Sequence, residues 1–338
     1  MSKGVVLVTG ASGYIAGFII KQLLTDGWTV RGTIRNLARA DAVRASLGAP
    51  DLQLFAADLS RDDGWEEAVA GCDYVQHIAS PIPDREPKDE QDLIRPAREG
   101  ALRALAAAKG AGVKRVVMTS SMAAIAYGHP EPRPVFDESH WTDPTNPDTY
   151  AYIRSKTFAE RAARDFMARY GIGMEFVTIN PSAVLGPVLG GDFSPSLEVV
   201  KKLLDGALPG LPRLGFAVVD VRDVADLHVR AMTAPGMNNE RFIAAGKFMW
   251  MRDVADVLKI RLGDKAKHVP TRGLPDWLLR IAARFDPTVR MVVPELGKVR
   301  ECTSAHARAV LGWTPRPEEE TIVDCAESLI AHHLVKGS

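Results

Sequence analysis

Cysteine is scarce in this chain. Of 338 residues only Cys72, Cys302 and Cys325 carry a thiol, and their spacing forms neither a paired framework nor a zinc-ligand pattern. A disulfide-built scaffold is excluded, and a reducing compartment, the cytoplasm, is expected. An excess of one charge is also lacking. The 42 basic side chains balance 42 acidic ones, so no electrostatic footprint points to nucleic acid or an anionic membrane. No apolar run approaches the roughly 18 residues of a membrane span. The opening MSKGVVLVTG turns polar too soon for a secretory leader. No internal repeat or low-complexity tract is found.

What remains is ordinary globular composition, 46% hydrophobic and 25% charged, with length for one large domain or two smaller ones. Apolar β-rich runs lie at 5–9, 29–35, 52–57, 74–79, 115–120 and 175–180. Helical patterns lie between most of them, at 14–26, 38–47, 63–70, 89–109 and 150–170. The strands are near-continuous apolar runs, as expected when both faces of a sheet are covered. Strand and helix in alternation predict an α/β fold, a doubly wound parallel sheet of Rossmann type. After residue 181 Pro and Gly become frequent, around a short helix near 196–206. The division expected is a nucleotide domain of 1–181 plus 216–250 and a smaller discontinuous substrate lobe of 182–215 plus 251–338. A cleft between them would hold a substrate.

The stretch VTGASGYIAGF, residues 8–18, follows a strand and opens a helix. In that context Gly10 makes a tight turn, Gly13 lets the backbone approach a pyrophosphate, and Ala16 is small enough for helix-to-strand packing. Ser12 is an alternative helix cap. The end of the second strand selects the cofactor. An NAD site places a carboxylate there, but TVRGTIRNLARA offers Arg31, Arg35 and Arg39 and no acid before Asp41. A guanidinium can grip a 2′-phosphate that a carboxylate would repel, so NADP(H) is expected, with Arg35 the foremost contact. Asp58, in AADLS, could accept from an adenine amino group. HIASP, 77–81, ends the fourth strand with small residues where a backbone could pass close to a cofactor, while His77 itself reads as a packed strand residue.

Tyr152 and Lys156 in TYAYIRSK stand four apart on a helix and so share a face. An ammonium beside a phenol would lower its pKa toward the working pH. VVMTSSMAA ends the fifth strand in Ser120 and Ser121, where functional groups gather in a doubly wound sheet. Either serine could instead cap the next segment.

Taken in order, VTGASGYIAGF, ADL, VVMTSS, YIRSK and VVDVRDVADLH resemble the extended short-chain dehydrogenase/reductase family. The branch most similar is the dihydroflavonol 4-reductase-like aldehyde and ketone reductases. The resemblance runs through about residues 4–232. It implies a Rossmann fold and hydride transfer between a nicotinamide and a small-molecule carbonyl or alcohol substrate, by a monomer or homodimer. Carried over residue by residue, it implies Ser121, Tyr152 and Lys156 as the catalytic set: Ser121 and Tyr152 hold the carbonyl oxygen, Tyr152 gives the proton, and Lys156 binds ribose and tunes Tyr152. Cofactor contacts implied are Gly10, Ser12, Gly13, Tyr14, Ile15, Arg35, Asp58, Leu59, Ala79, Lys156, Pro181 and Ser182, with no metal. Three rivals share the frame. A sugar-nucleotide epimerase or dehydratase is disfavoured because SSMAAIAYG supplies no acid or base after the serines. A non-catalytic NADP sensor is disfavoured because Tyr152 and Lys156 are both kept. A hydroxysteroid-type dehydrogenase is left open. The substrate expected is an apolar aldehyde or ketone, aromatic ones included.

Other residues have plainer readings. His129 and His140 read as exposed loop histidines, with lining of the cleft as the alternative, Asp223 as a helix cap, and His228 as a helix-face residue. Trp141 and Phe193 are the foremost guesses for the substrate wall, ahead of Trp250, Trp277, Phe285 and Met291. The acidic run 318–320 reads as a solvated helix start.

Overall fold

The computed structural model describes residues 2–82, 87–131, 133–191 and 194–336. Among them the strands are β1 (Val5–Val8), β2 (Thr29–Ile34), β3 (Gln53–Ala56), β4 (Tyr74–His77), β5 (Arg115–Thr119), β6 (Glu175–Pro181), β7 (Ala183–Leu185), β8 (Gly215–Asp220), β9 (Glu240–Ala244) and β10 (Phe248–Trp250). The helices are α1 (Tyr14–Thr25), α2 (Ala40–Leu47), α3 (Trp65–Val69), α4 (Gln91–Gly110), α5 (Ala151–Tyr170), α6 (Glu198–Leu204), α7 (Val221–Thr233), α8 (Met251–Leu262), α9 (Asp276–Ala282), α10 (Pro287–Val292), α11 (Ala305–Leu311) and α12 (Glu318–Ala331).

The main sheet runs β3-β2-β1-β4-β5-β6-β9, with every neighbouring pair parallel. Strand order reverses between β1 and β4, the place where a doubly wound sheet opens a crevice at its carboxyl edge. The apolar runs are explained by burial on both faces. Val6 and Val8 join one core with Ile19, Ile20 and Leu23 of α1 and Val224 and Leu227 of α7. Leu7, between them, joins the opposite core with Ala101 and Leu105 of α4 and Ala159 and Ala163 of α5. On β6 the same alternation sends Phe176 one way and Val177 and Ile179 the other.

A second sheet, β10-β8-β7, borders a further core that gathers Leu185, Leu203, Val254, Leu258 and Ile322. It draws β8 and β10 from the stretch 216–250 that the sequence reading gave to the nucleotide domain. The chain thus alternates between sheets from β6 onward.

Two local readings need correction. The cap of α7 is Asp220, whose carboxylate accepts from the Arg222 amide at 2.8 Å. Asp223 sits one turn further in, where it accepts from the Arg316 guanidinium at 2.8 Å. The acidic run does open α12 but is not merely solvated. Glu318 accepts from the Lys247 amide, Glu319 pairs with Arg261 and Glu320 with Arg316.

Candidate active site

The loop after β1 is fixed by Thr9. Its hydroxyl accepts from the Ile78 and Ala79 amides, each at 3.0 Å, and lies 3.0 Å from His77 Nδ1. His77 is buried and its pKa falls to about 4, through desolvation and the nearby Lys156 charge, so it stays neutral as packing. The bond draws the end of β4 against the glycine loop. Gly10 adopts φ +69°, and a Cβ there would lie 3.1 Å from the Ala79 Cα. Only glycine meets both demands. Gly13 follows, its amide donating to the Gly10 carbonyl at 2.8 Å, and no side chain caps α1. The first amides of the helix are therefore left without a side-chain cap, as a helix start that could receive an anion requires. Ser12 and Gly13 are exposed beside it, and Ser12 is not the cap.

Tyr14 and Ile15 open that helix, so only their backbone amides stand at its start. The Tyr14 phenol turns away, buried between the two cores, where burial raises its pKa and Cys325 and Asp220 add to the rise. Ile15 packs on the main core. Arg35 stands exposed where β2 ends, and Arg39 is exposed in the following turn. Arg31 does not join them. It lies in mid-strand, donates to the Ala70 carbonyl at 2.6 Å and stacks over Phe55. Asp58 accepts from the Ser60 hydroxyl at 2.6 Å and amide at 2.8 Å. Those bonds, with help from the Arg35 charge, hold its carboxyl below the ordinary range. Leu59 packs tightly on Gly100 of α4. Pro181 is buried at the end of β6, and the Ser182 amide donates to the Ala244 carbonyl at 3.0 Å. A positive-φ glycine cradle, an uncapped helix start and an exposed guanidinium where NAD sites carry an acid fit NADP(H).

At the carboxyl end of β5, Ser121 adopts extended backbone and its hydroxyl accepts from the Ala123 amide at 3.1 Å, capping a 3-10 turn, Met122–Ala124. The Ser121 hydroxyl also acts on Tyr152, near the start of α5. Burial raises the Tyr152 pKa above its ordinary value, and the Ser121 hydroxyl pulls it partly back. One turn on, the Lys156 ammonium lies 5.7 Å from the Tyr152 ring centroid and donates to the Ser80 hydroxyl at 2.9 Å. Burial lowers its pKa to about 8. The lysine therefore shares the tyrosine's face as the spacing predicts. The expected lowering of the phenol pKa is not seen, because the ammonium is bonded to Ser80 and desolvation prevails.

Sequence reasoning missed Ser80, which looked like one small residue among several. It also missed Glu160, whose one signal was an acid at helical spacing after Tyr152 and Lys156. Glu160 is fully buried and pairs with Arg241 at 2.7 Å.

The guessed substrate wall fares less well. Two guanidinium groups lie over the half-buried Trp141, Arg241 at 3.8 Å and Arg161 at 5.3 Å from its ring centroid. Cation contacts thus take up part of its ring. Phe193 and the Met291 side chain lie outside the described residues. Trp277 and Phe285 are exposed, and Trp250 packs edge-on against Phe248. His129 and His140 are half-buried, not free. His129 bonds the Ile125 carbonyl at 2.8 Å, and His140 bonds Asp137 at 2.8 Å. His228 is buried on α7 between Gln76 and Thr119, and desolvation takes its pKa to about 3. A small cavity opens beside Tyr127, bordered by His129, Arg133, Asn146, Asp148, Lys298 and Arg300. Its walls are polar. Among the described residues no cluster of ligating side chains could hold a metal, and no helix is long and apolar enough to cross a membrane.

The model of the NAD dependent epimerase/dehydratase family matches residues 6–245. The chain belongs to this family. Its matched span runs from β1 to the end of β9, the whole of the main sheet. Within the epimerase/dehydratase family the chain is similar to reductases. It is 41% identical to the cinnamoyl-CoA reductase CAD2 of Medicago truncatula over 236 residues, 67% of this chain and 72% of that one. It is 36% identical to the dihydroflavonol 4-reductase of Hordeum vulgare over 215 residues, 61% of this chain and 60% of that one. Among solved structures it resembles the yeast methylglyoxal/isovaleraldehyde reductase Gre2 complexed with NADPH. The TM-score is 0.82 at 27% identity, over 97% of this chain and 99% of that one.

Proposed function

We propose that this chain is an NADPH-dependent carbonyl reductase acting on apolar aldehydes or ketones, aromatic ones included. It is an NADP-dependent oxidoreductase. The observation that carries the reading is the convergence of Ser121, Tyr152 and Lys156, with the Lys156 ammonium one turn on and 5.7 Å from the Tyr152 ring and the Ser121 hydroxyl acting on its phenol. Gly10, Gly13 and the start of α1 would hold the pyrophosphate and Arg35 the 2′-phosphate. Asp58, Leu59, Ala79, Pro181 and Ser182 would flank the rest of the cofactor. When bound, NADPH supplies a hydride to the carbonyl carbon.

The chain's own groups do the remainder. Ser121 and Tyr152 donate to the carbonyl oxygen, where negative charge develops, and preplaced donors are most effective there. The phenol, its pKa raised by burial, is protonated at neutral pH and so serves as an acid. The Lys156 ammonium, charged below about pH 8, binds ribose beside the phenol. The test is NADPH oxidation, followed by absorbance, against a panel of aldehydes and ketones with NADH in parallel. Turnover with NADPH on several carbonyls is expected. Tight NADPH binding without turnover on any would move the reading to a sugar-nucleotide enzyme or a sensor.

A further inference from the structure

The reductase reading uses Ser121, Tyr152 and Lys156 but leaves a larger buried assembly unexplained. Its centre is Glu160, on α5 with Tyr152 and Lys156, two turns and one turn before it. The side chain is fully buried. Desolvation alone would raise its pKa, but the Arg241 and Arg164 guanidinium groups hold it below the ordinary value, so it is a carboxylate.

Its partners converge on the turn that carries Ser121. The Ser120 hydroxyl donates directly to Glu160 Oε2. Asn180 Nδ2 donates to Glu160 Oε2 at 2.8 Å and to the Ser121 carbonyl at 3.2 Å. Arg241 donates to Glu160 Oε1 at 2.7 Å and reaches the Ala124 carbonyl at 3.3 Å. One carboxylate thus grips residues 120, 121 and 124 from the helix that presents Tyr152. Thr178 provides a contrast. It donates to Glu160 Oε1 at 3.2 Å and accepts from Arg164, with no bond to the serine turn.

We propose that Glu160 and Asn180 are positioning residues that fix the turn carrying the Ser121 hydroxyl beside Tyr152. A buried ion costs more than an apolar residue of its size, so a carboxylate here is poor as packing and effective as a brace. A donor displaced by an ångström loses its alignment with the carbonyl oxygen, while the proposed phosphate-holding end of the cofactor cradle, at the ends of β1 and β2, is untouched. The inference rests on the reductase reading, and the experiment separates the two.

The full-length Asn180→Ala, Thr178→Val and Tyr152→Phe variants are compared with the unaltered chain. The readouts are kcat on a carbonyl from the panel, NADPH Kd by fluorescence, and Tm. Asn180→Ala should lose tenfold or more in kcat with NADPH Kd within twofold. Thr178→Val should show a comparable fall in Tm with kcat within twofold. Should Asn180→Ala fail to fold, Glu160→Gln, which keeps shape and one acceptor oxygen, should give the same split between kcat and Kd. A kcat within twofold in the Asn180 or Glu160 variant, beside an inactive Tyr152→Phe, would overturn the positioning role. So would equal loss of kcat in the Asn180 and Thr178 variants. An active Tyr152→Phe would overturn the reductase reading and the proposal with it.

Discussion

The Lys156 ammonium donates to the Ser80 hydroxyl at 2.9 Å while lying over the Tyr152 ring, in a site that keeps it from water. The drop in its pKa to about 8 records a cost to the fold of roughly 3 kcal/mol at neutral pH. The cost is full below the folded pKa, where both states carry the proton. It fades as pH rises from about 8 toward the unfolded value near 10.5, because the folded state sheds its proton first. Lys156→Met should therefore raise Tm by a few degrees at pH 7 and by less at pH 10, while abolishing turnover. Thermal melts at both pH values check the sign. In the unaltered chain, reductive kcat should decline above about pH 8.

Tyr152→Phe keeps the ring under Lys156 and removes the proton. Turnover should fall by about 10²- to 10⁴-fold, the usual range for a lost general acid. NADPH Kd, read by fluorescence, should stay within twofold. Normal turnover would remove Tyr152 as the acid.

Arg35→Glu places a carboxylate where the 2′-phosphate is expected. A charge-assisted bond of about 1.5–3 kcal/mol is lost and a repulsion is gained. NADPH affinity should weaken at least tenfold, with NADH affinity unchanged or better. Titration with both nucleotides decides, and unaltered NADPH affinity would sink the phosphate assignment.

Arg316 ties the segment before α12 to α7. Its guanidinium donates to Asp223 at 2.8 Å, and its amide donates there at 2.7 Å. Arg316→Leu leaves the mostly buried Asp223 carboxylate with the amide alone, at a cost of about 1–3 kcal/mol. Tm should fall by several degrees with kcat at 25 °C preserved. Unchanged melting would mean that water satisfies Asp223.

The sheet was legible because its strands are buried twice over. Val6, Leu7 and Val8 must all be apolar when neighbours face opposite cores, and that leaves a run no loop imitates. The three-residue strands β7 and β10 leave no such run, and their sheet was not foreseen. The glycine loop was legible because Gly10 needs positive φ and a bare Cα at one position. Ser80, Asn180 and Glu160 were not, since each acts through a partner brought near by strand register, 76 residues apart for Ser80 and Lys156. The surroundings of Trp141 were hidden for a related reason. Its neighbour Arg241 is 100 residues away in sequence and 3.8 Å away in space.

The passage from β6 to β7 crosses from one sheet to the other at Ser182 alone, and β8 enters α7 without a linker. Three residues, Ala245–Lys247, carry β9 back to β10. Two sheets sewn together at so many short seams leave no long linker to act as a hinge. Neither can be traded as a cassette. Change in a chain of this design must come through side chains, one position at a time, rather than from the import of a new module.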